Sequence, residues 1–180
     1  KYTGVCKKLH DYYYPEIEYT GTTKLLIGSY GKRTNIRPPR DVDILFIMSD
    51  DKFDQYDDNE SNGQSQLLQD IKKILSEKYS TTDKIKGWGK VILIQFSDGT
   101  HNVELLPAWE HNDGKFTIPN TAEGGYWETW DPRAEIQKIE DSDTIFPLFV
   151  CFLPVSRHFG GKQAHWPYAS MYFSPISRLL

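Results

Sequence analysis

The sequence predicts an α+β domain, a mixed β-sheet with flanking helices. Three observations predict it. In "SQLLQDIKKILSEKY", Leu67, Leu68, Ile71, Ile74 and Leu75 recur at helical spacing and make one apolar stripe. "KLLIG" and "VDILFIM" read as short buried strands on either side of a polar, basic loop. Asp98-Gly99 and Asp113-Gly114 each sit between strand-like runs, a strong hairpin signal.

Taken in order, residues 3–14 suit a helix with Val5, Leu9 and Tyr12 or Tyr13 on one side. "VDILFIM" is apolar without a break after Asp43, as a central strand should be. "SDDKFDQYDDNESNGQ" is acidic and poor in apolar residues, so it reads as a solvated loop. Ser65 is the candidate N-cap of the helix that follows. Gly87-Trp88-Gly89 reads as a loop before the strand "KVILIQF". "SDGT" is a turn, "HNVELLPAW" a second strand, and "HNDGKFTIP" repeats the hairpin. The expected order is helix, strand, loop, strand, helix, then two or three strands.

A chain of 180 residues can build one domain with a real core. A net charge of −4 and a pI near 5.7 argue against a duplex nucleic-acid binder, whose domain carries a basic excess. The two cysteines, Cys6 and Cys151, make no disulfide framework, which suits a reducing compartment. No signal peptide opens the chain, and no apolar run reaches membrane-helix length, so the expected location is cytoplasmic with no membrane contact. All 25 acidic residues lie at or before Asp143. Residues 144–180 carry prolines and many aromatics without a helical or alternating period. The expected division is therefore a core over 1–143 and an atypical tail over 144–180, read as a truncated or out-of-frame end in preference to a partner-binding or lipid-facing segment.

Chemistry concentrates at the mouth of "VDILFIM". Side chains alternate along a strand, so Asp41 and Asp43 share one face and Val42 takes the other. Two carboxylates about 4 Å apart repel by about 4 kcal/mol at an effective dielectric constant of about 20. A hard divalent cation relieves that repulsion, and Mg²⁺ favours carboxylate and phosphate oxygens. An isolated D-x-D pair is more often a solvated strand edge. This pair follows Gly28-Ser29-Tyr30-Gly31, a glycine- and serine-bearing turn of the kind that offers N–H groups to phosphate. Lys32, Arg33, Arg37 and Arg40 add positive charge, and Pro38 and Pro39 stiffen the return. A third acid, Glu104, alternates with Val103 and Leu105 in an otherwise apolar strand. The histidines show no zinc spacing, and core packing is the favoured role of Trp127 and Trp130 over base stacking.

These motifs, G-S-Y-x-K-x-T, then P-R-D-V-D, then an acid shortly before a proline, resemble the DNA polymerase β-like nucleotidyltransferase superfamily. Within it the chain is most similar to the bacterial CD-NTases, the cyclic GMP-AMP synthase-like makers of cyclic oligonucleotide signals in anti-phage defence. "VELLPAW", "DGKFTIPN" and "GGYWETWDPRAE" carry the likeness on to about residue 137. The resemblance implies that Asp41, Asp43 and Glu104 are catalytic metal ligands, with glutamate where the family more commonly has aspartate. It implies that Gly28, Ser29, Lys32 and Thr34 hold a nucleoside triphosphate, with Mg²⁺ as cofactor and Mn²⁺ as its substitute. It also implies a cyclic di- or trinucleotide product, and leaves room for a regulatory protein partner. The family's C-terminal helical region is not recognisable after about residue 143. The readings set against this one are an inactive nucleotide-binding fragment, and a nucleotidyltransferase acting on a protein, drug or RNA acceptor.

Overall fold

The computed structural model describes residues 1–32, 41–79, 84–99 and 101–145. In chain order the elements are α1 (Tyr2–Tyr13), β1 (Lys24–Leu26), α2 (Gly28–Gly31), β2 (Asp41–Ile47), α3 (Phe53–Asp57) and α4 (Gly63–Lys78). There follow β3 (Lys84–Trp88), β4 (Val91–Gln95), β5 (Asn102–Glu110), β6 (Phe116–Asn120), β7 (Tyr126–Trp130) and α5 (Pro132–Ile145). Seven strands make one mixed sheet in the order β1-β2-β5-β4-β3, with β6 continuing from β5 and β7 from β6. β2 and β5 run parallel, and every other pair is antiparallel.

The alternation of β2 explains its apolar run. Val42, Ile44 and Phe46 face one way, into a core completed by Val5 and Leu9 of α1 and by the stripe of α4. Leu45 faces the other way and packs with Ile27, Leu106, Ala108, Phe116 and Ile118 in a second cluster. Beyond Asp43 the strand is thus buried on both faces. Each such aliphatic side chain contributes about 1.5–3 kcal/mol on full burial. Cys6 lies fully buried in the first cluster, and burial pushes its thiol up to about 11.

Proline in β5 is accommodated by a change of partner. The β4 ladder ends at Leu105 and the β6 ladder begins at Trp109. The Ala108 carbonyl accepts from the Met48 N–H at 2.8 Å, so Ala108 turns its polar groups toward β2 and Pro107 turns its nitrogen to the opposite edge. Among the described residues no ladder runs there, so the missing N–H leaves no ladder partner unpaired.

Four expectations need correction. The acidic segment is not all loop. A 3₁₀ turn (Asp50–Lys52) leads into α3, because Phe53 and Tyr56 pack on Trp109, with ring centroids 5.2 and 6.4 Å away. The N-cap of α4 is Asn62, not Ser65: the Ser65 N–H donates to Asn62 Oδ1 at 2.7 Å. Gly87 and Trp88 belong to β3, which forms a hairpin with β4 through Gly89 at φ +62°. Lastly, five strands follow α4, and α2 and α5 add helices that the expected order lacked. α5 runs through position 143 to Ile145. Residues 146–180 lie outside the described residues. Among the described residues, no helix is long and apolar enough to cross a membrane.

Candidate active site

The parallel ladder between β2 and β5 sets Asp41 opposite Asn102 and Asp43 opposite Glu104. Cross-strand partners share a face, and strands lie about 4.8 Å apart, so the acids form one patch. The intervening Val42, Val103 and Leu105 are buried on the other side. Asp41 is exposed, and the Asn102 side-chain N–H donates to its Oδ1 at 2.8 Å. Asp43 and Glu104 are half-buried. Burial, reinforced by the Asp41 charge, raises the Asp43 carboxyl above its ordinary value, while the Ser29 backbone N–H acts in the opposite direction. Burial raises Glu104 as well, with the charges of Asp43 and then Asp41 adding to it. Asp43 and Glu104 are thus harder to ionise, first because they are buried and then because of the charges beside them.

β1 leads into the patch. It pairs with β2 at Leu26 and Ile44, and the Ile27 N–H donates to the Asp43 carbonyl at 3.0 Å. The expected Gly-Ser turn is a single turn of helix, α2. Gly28 stands at φ +57°, a left-handed conformation. A Cβ there would collide with the Asp43 carboxylate, its Cγ lying 2.7 Å away. Gly31 is needed for a related reason, since a Cβ would lie 2.9 Å from the Leu26 carbonyl carbon. The side chain of Ser29 is exposed, while its backbone N–H serves Asp43. Thr34, together with Arg33, Arg37, Pro38, Pro39 and Arg40, lies outside the described residues.

Beside the acids opens a cleft of about 190 Å³, lined by Gly28, Lys32, Asp43, Glu104, Trp130 and Glu135 with apolar neighbours. Lys32 Nζ lies 3.3 Å from Glu135 Oε2. Trp130 Nε1 donates to Glu135 Oε1 at 2.8 Å, which with Lys32 holds that carboxyl below its usual range. The sequence reading missed Glu135 and the cleft-side position of Trp130. A signal for the helix was present: in "DPRAE" Asp131 caps α5, accepting from the Ala134 N–H at 2.8 Å, with proline at the first helical position. Trp127 behaves as expected of core packing, against Phe53 at 5.2 Å and Trp109 at 5.5 Å. Its Nε1 donates to Asp57 Oδ1 at 2.8 Å. His10 is likewise a packing residue, buried and bonded to the Ile17 carbonyl at 2.9 Å. Among the described residues, no three acid, imidazole or thiol groups are drawn together as a ready metal cage. Asp43 and Glu104 share the cleft, whereas Asp41 is turned to Asn102.

Acids on two parallel neighbouring strands, with β1 running into Gly28-Ser29 beside them, suit a nucleotidyltransferase core. Residues 2–143 match the Second Messenger Oligonucleotide or Dinucleotide Synthetase domain. The chain belongs to that family, the CD-NTases, and is a nucleotidyltransferase domain.

Solved structures share the fold. A CdnE cyclic dinucleotide synthase of Elizabethkingia meningoseptica, solved with GTP and Apcpp, is 16% identical at a TM-score of 0.54, over 79% of this chain and 51% of that one. CdnC of E. coli MS115-1, solved with ATP, is 14% identical at a TM-score of 0.56, over 82% of this chain and 45% of that one. The same CdnC in complex with HORMA-deltaN is 15% identical at a TM-score of 0.55, over 81% and 43%. The chain thus spans about half the length of the solved structures it matches, or somewhat less. No curated protein matches it.

Proposed function

We propose that the chain joins nucleoside triphosphates into a cyclic di- or trinucleotide signal with release of pyrophosphate, using Mg²⁺, or Mn²⁺ in its place. One observation carries the reading: Asp43 faces Glu104 across the β2·β5 ladder, directly beside Gly28-Ser29 at the mouth of the cleft. The donor set suits a hard divalent ion. Both acids are oxygen donors made harder to ionise by burial, Asp43 also by the charge of Asp41 and Glu104 by those of Asp43 and Asp41, and the nearby Lys32 is engaged with Glu135. Asp43, Glu104 and Asp41 would hold the metal, with Asn102 fixing one oxygen of Asp41. When bound, such an ion neutralises phosphate charge and acidifies an attacking hydroxyl.

The chain's own residues supply position and charge. Gly28, lacking a side chain, lets the backbone of α2 lie against Asp43. Ser29 steers the Asp43 carboxylate through its N–H. Lys32, with Thr34 beyond it, would meet the triphosphate. Trp130 walls the cleft. In the reaction an acceptor hydroxyl bonds to the α-phosphorus while the bond to pyrophosphate breaks. Glu104, which lines the cleft, would take the hydroxyl proton.

A role in anti-phage defence, a cytoplasmic location and a regulatory protein partner belong to the same proposal. Supporting the partner, CdnC was solved in complex with HORMA-deltaN. The division into a core over 1–143 and a separate tail over 144–180 is part of the same proposal. The test is pyrophosphate release from the four ribonucleoside triphosphates with Mg²⁺ or Mn²⁺, for this chain and for an Asp41→Ala, Asp43→Ala double variant. Release by the first and not the second is expected, with cyclic products on separation. A folded sample that binds ATP and releases nothing would overturn the enzymatic reading and favour an inactive nucleotide-binding domain.

A further inference from the structure

The acid patch is one end of a longer surface. The register carries two rows across four strands: Asp41, Asn102, Gln95 and Lys84, then Asp43, Glu104, Leu93 and Lys86. In the next row Leu106 and Val91 line the cleft together, and Val91 is the partner of Trp88. All these residues lie on the sheet face away from α4. A Cβ on Gly87 would touch the Leu68 side chain at 3.2 Å, so Lys86 and Trp88, one residue to either side, point to the opposite face. Charge therefore changes sign along each row, from acid on β2 and β5 to lysine on the edge strand β3.

The lysines are exposed, and neither forms an ion pair among the described residues. Trp88 is 83% exposed. Lysine at a sheet edge is a common guard against edge-to-edge pairing. That role calls for no tryptophan beside it and no alignment with a row of acids. Strand spacing puts the Lys86 backbone about 10 Å from Glu104 and about 14 Å from Asp43. A lysine side chain shortens that gap to the reach of one nucleotide from sugar hydroxyl to terminal phosphate.

We propose that β3 forms the far wall of the acceptor site. Lys84 and Lys86 take the 5′-phosphates of the nucleotide whose sugar hydroxyl lies at Asp43 and Glu104, and Trp88 offers its ring to that nucleotide's base. The acceptor is then a phosphorylated nucleotide, not a bare hydroxyl on a protein or drug. This inference rests on the nucleotidyltransferase reading, and equilibrium binding separates the two. Titration of the chain with α,β-methylene ATP and Mg²⁺ should show two nucleotides per chain. A Lys84→Gln, Lys86→Gln variant should keep one site and weaken the other by about tenfold or more, the loss expected when charge-assisted hydrogen bonds are removed. Trp88→Ala should weaken the same site alone. One site in the unaltered chain, or two sites indifferent to the lysine substitutions, would overturn the proposal. Two sites with the expected losses but no pyrophosphate release would sustain it and overturn the enzymatic reading instead.

Discussion

Gly28→Ala should destabilise the folded chain by about 2–4 kcal/mol, from two terms of similar size. Alanine at φ +57° adopts a left-handed conformation that costs about 1–2 kcal/mol. Its Cβ would also sit 2.7 Å from Asp43 Cγ and 3.0 Å from Asp43 Cβ, so the carboxylate must swing out. Swinging out breaks the charge-assisted bond from the Ser29 N–H, a loss of about 1–2 kcal/mol after part of the carboxylate's hydration is regained. In an Asp43→Ala background the carboxylate is gone and only the first term remains. Urea unfolding of the four chains in this cycle should therefore yield a coupling of about 1–2 kcal/mol between positions 28 and 43. Equal effects of Gly28→Ala in both backgrounds would refute the argument that the carboxylate's approach is what demands glycine.

The carboxyls set a pH dependence. Asp43 and Glu104 are raised in the folded state, so that state binds protons more tightly than the unfolded one. Their contribution to stability is full below the unfolded carboxyl range and is lost as pH rises through the raised folded values. Urea melts from about pH 4 upward should show the decline. Asp43→Asn should flatten it, and Mg²⁺ should restore stability at the upper end. Asn62→Ala removes the cap of α4 and should lower stability by about 1 kcal/mol in the same melts, whereas Ser65→Ala should change it little. Glu135→Gln releases Lys32 while Gln Oε1 still accepts from Trp130. ATP binding should tighten by up to about fivefold at low salt and by less at high salt. An unchanged ATP affinity would mean that Lys32 does not meet the nucleotide.

What could be read from the sequence was whatever a short window encodes. β2, β4 and α4 declare themselves by an unbroken apolar run or by a helical stripe, and Asp98-Gly99 and Asp113-Gly114 mark their hairpins. The sharing of one face by Asp41 and Asp43 follows from alternation alone. β3 was hidden because "KIKGW" offers one aliphatic side chain and a glycine, and that glycine is small to fit Leu68 of α4. α3 was hidden because what holds it, Tyr56 and Phe53 against Trp109, is supplied by a strand far along the chain. Two glycines in four residues concealed α2, which is shaped by its contact with Asp43. The pairing of Asp43 with Glu104, and the place of Glu135 in the cleft, are tertiary facts that no local pattern records.

The parallel ladder also bears on how the chain folds. Asp41 and Asn102, opposite each other in it, are 61 positions apart. Closing so long a loop is slow and comes with little early reward, whereas the β3–β4 and β4–β5 hairpins form from neighbours. The acids therefore meet late, after the segment between them has taken shape, and a half-folded chain has no assembled centre with which to handle nucleotides. If the proposed divalent ion is held by both strands, it would act as a staple on that last closure. Its kinetic effect would fall on the rate at which the finished molecule opens, with little change in the rate at which it forms.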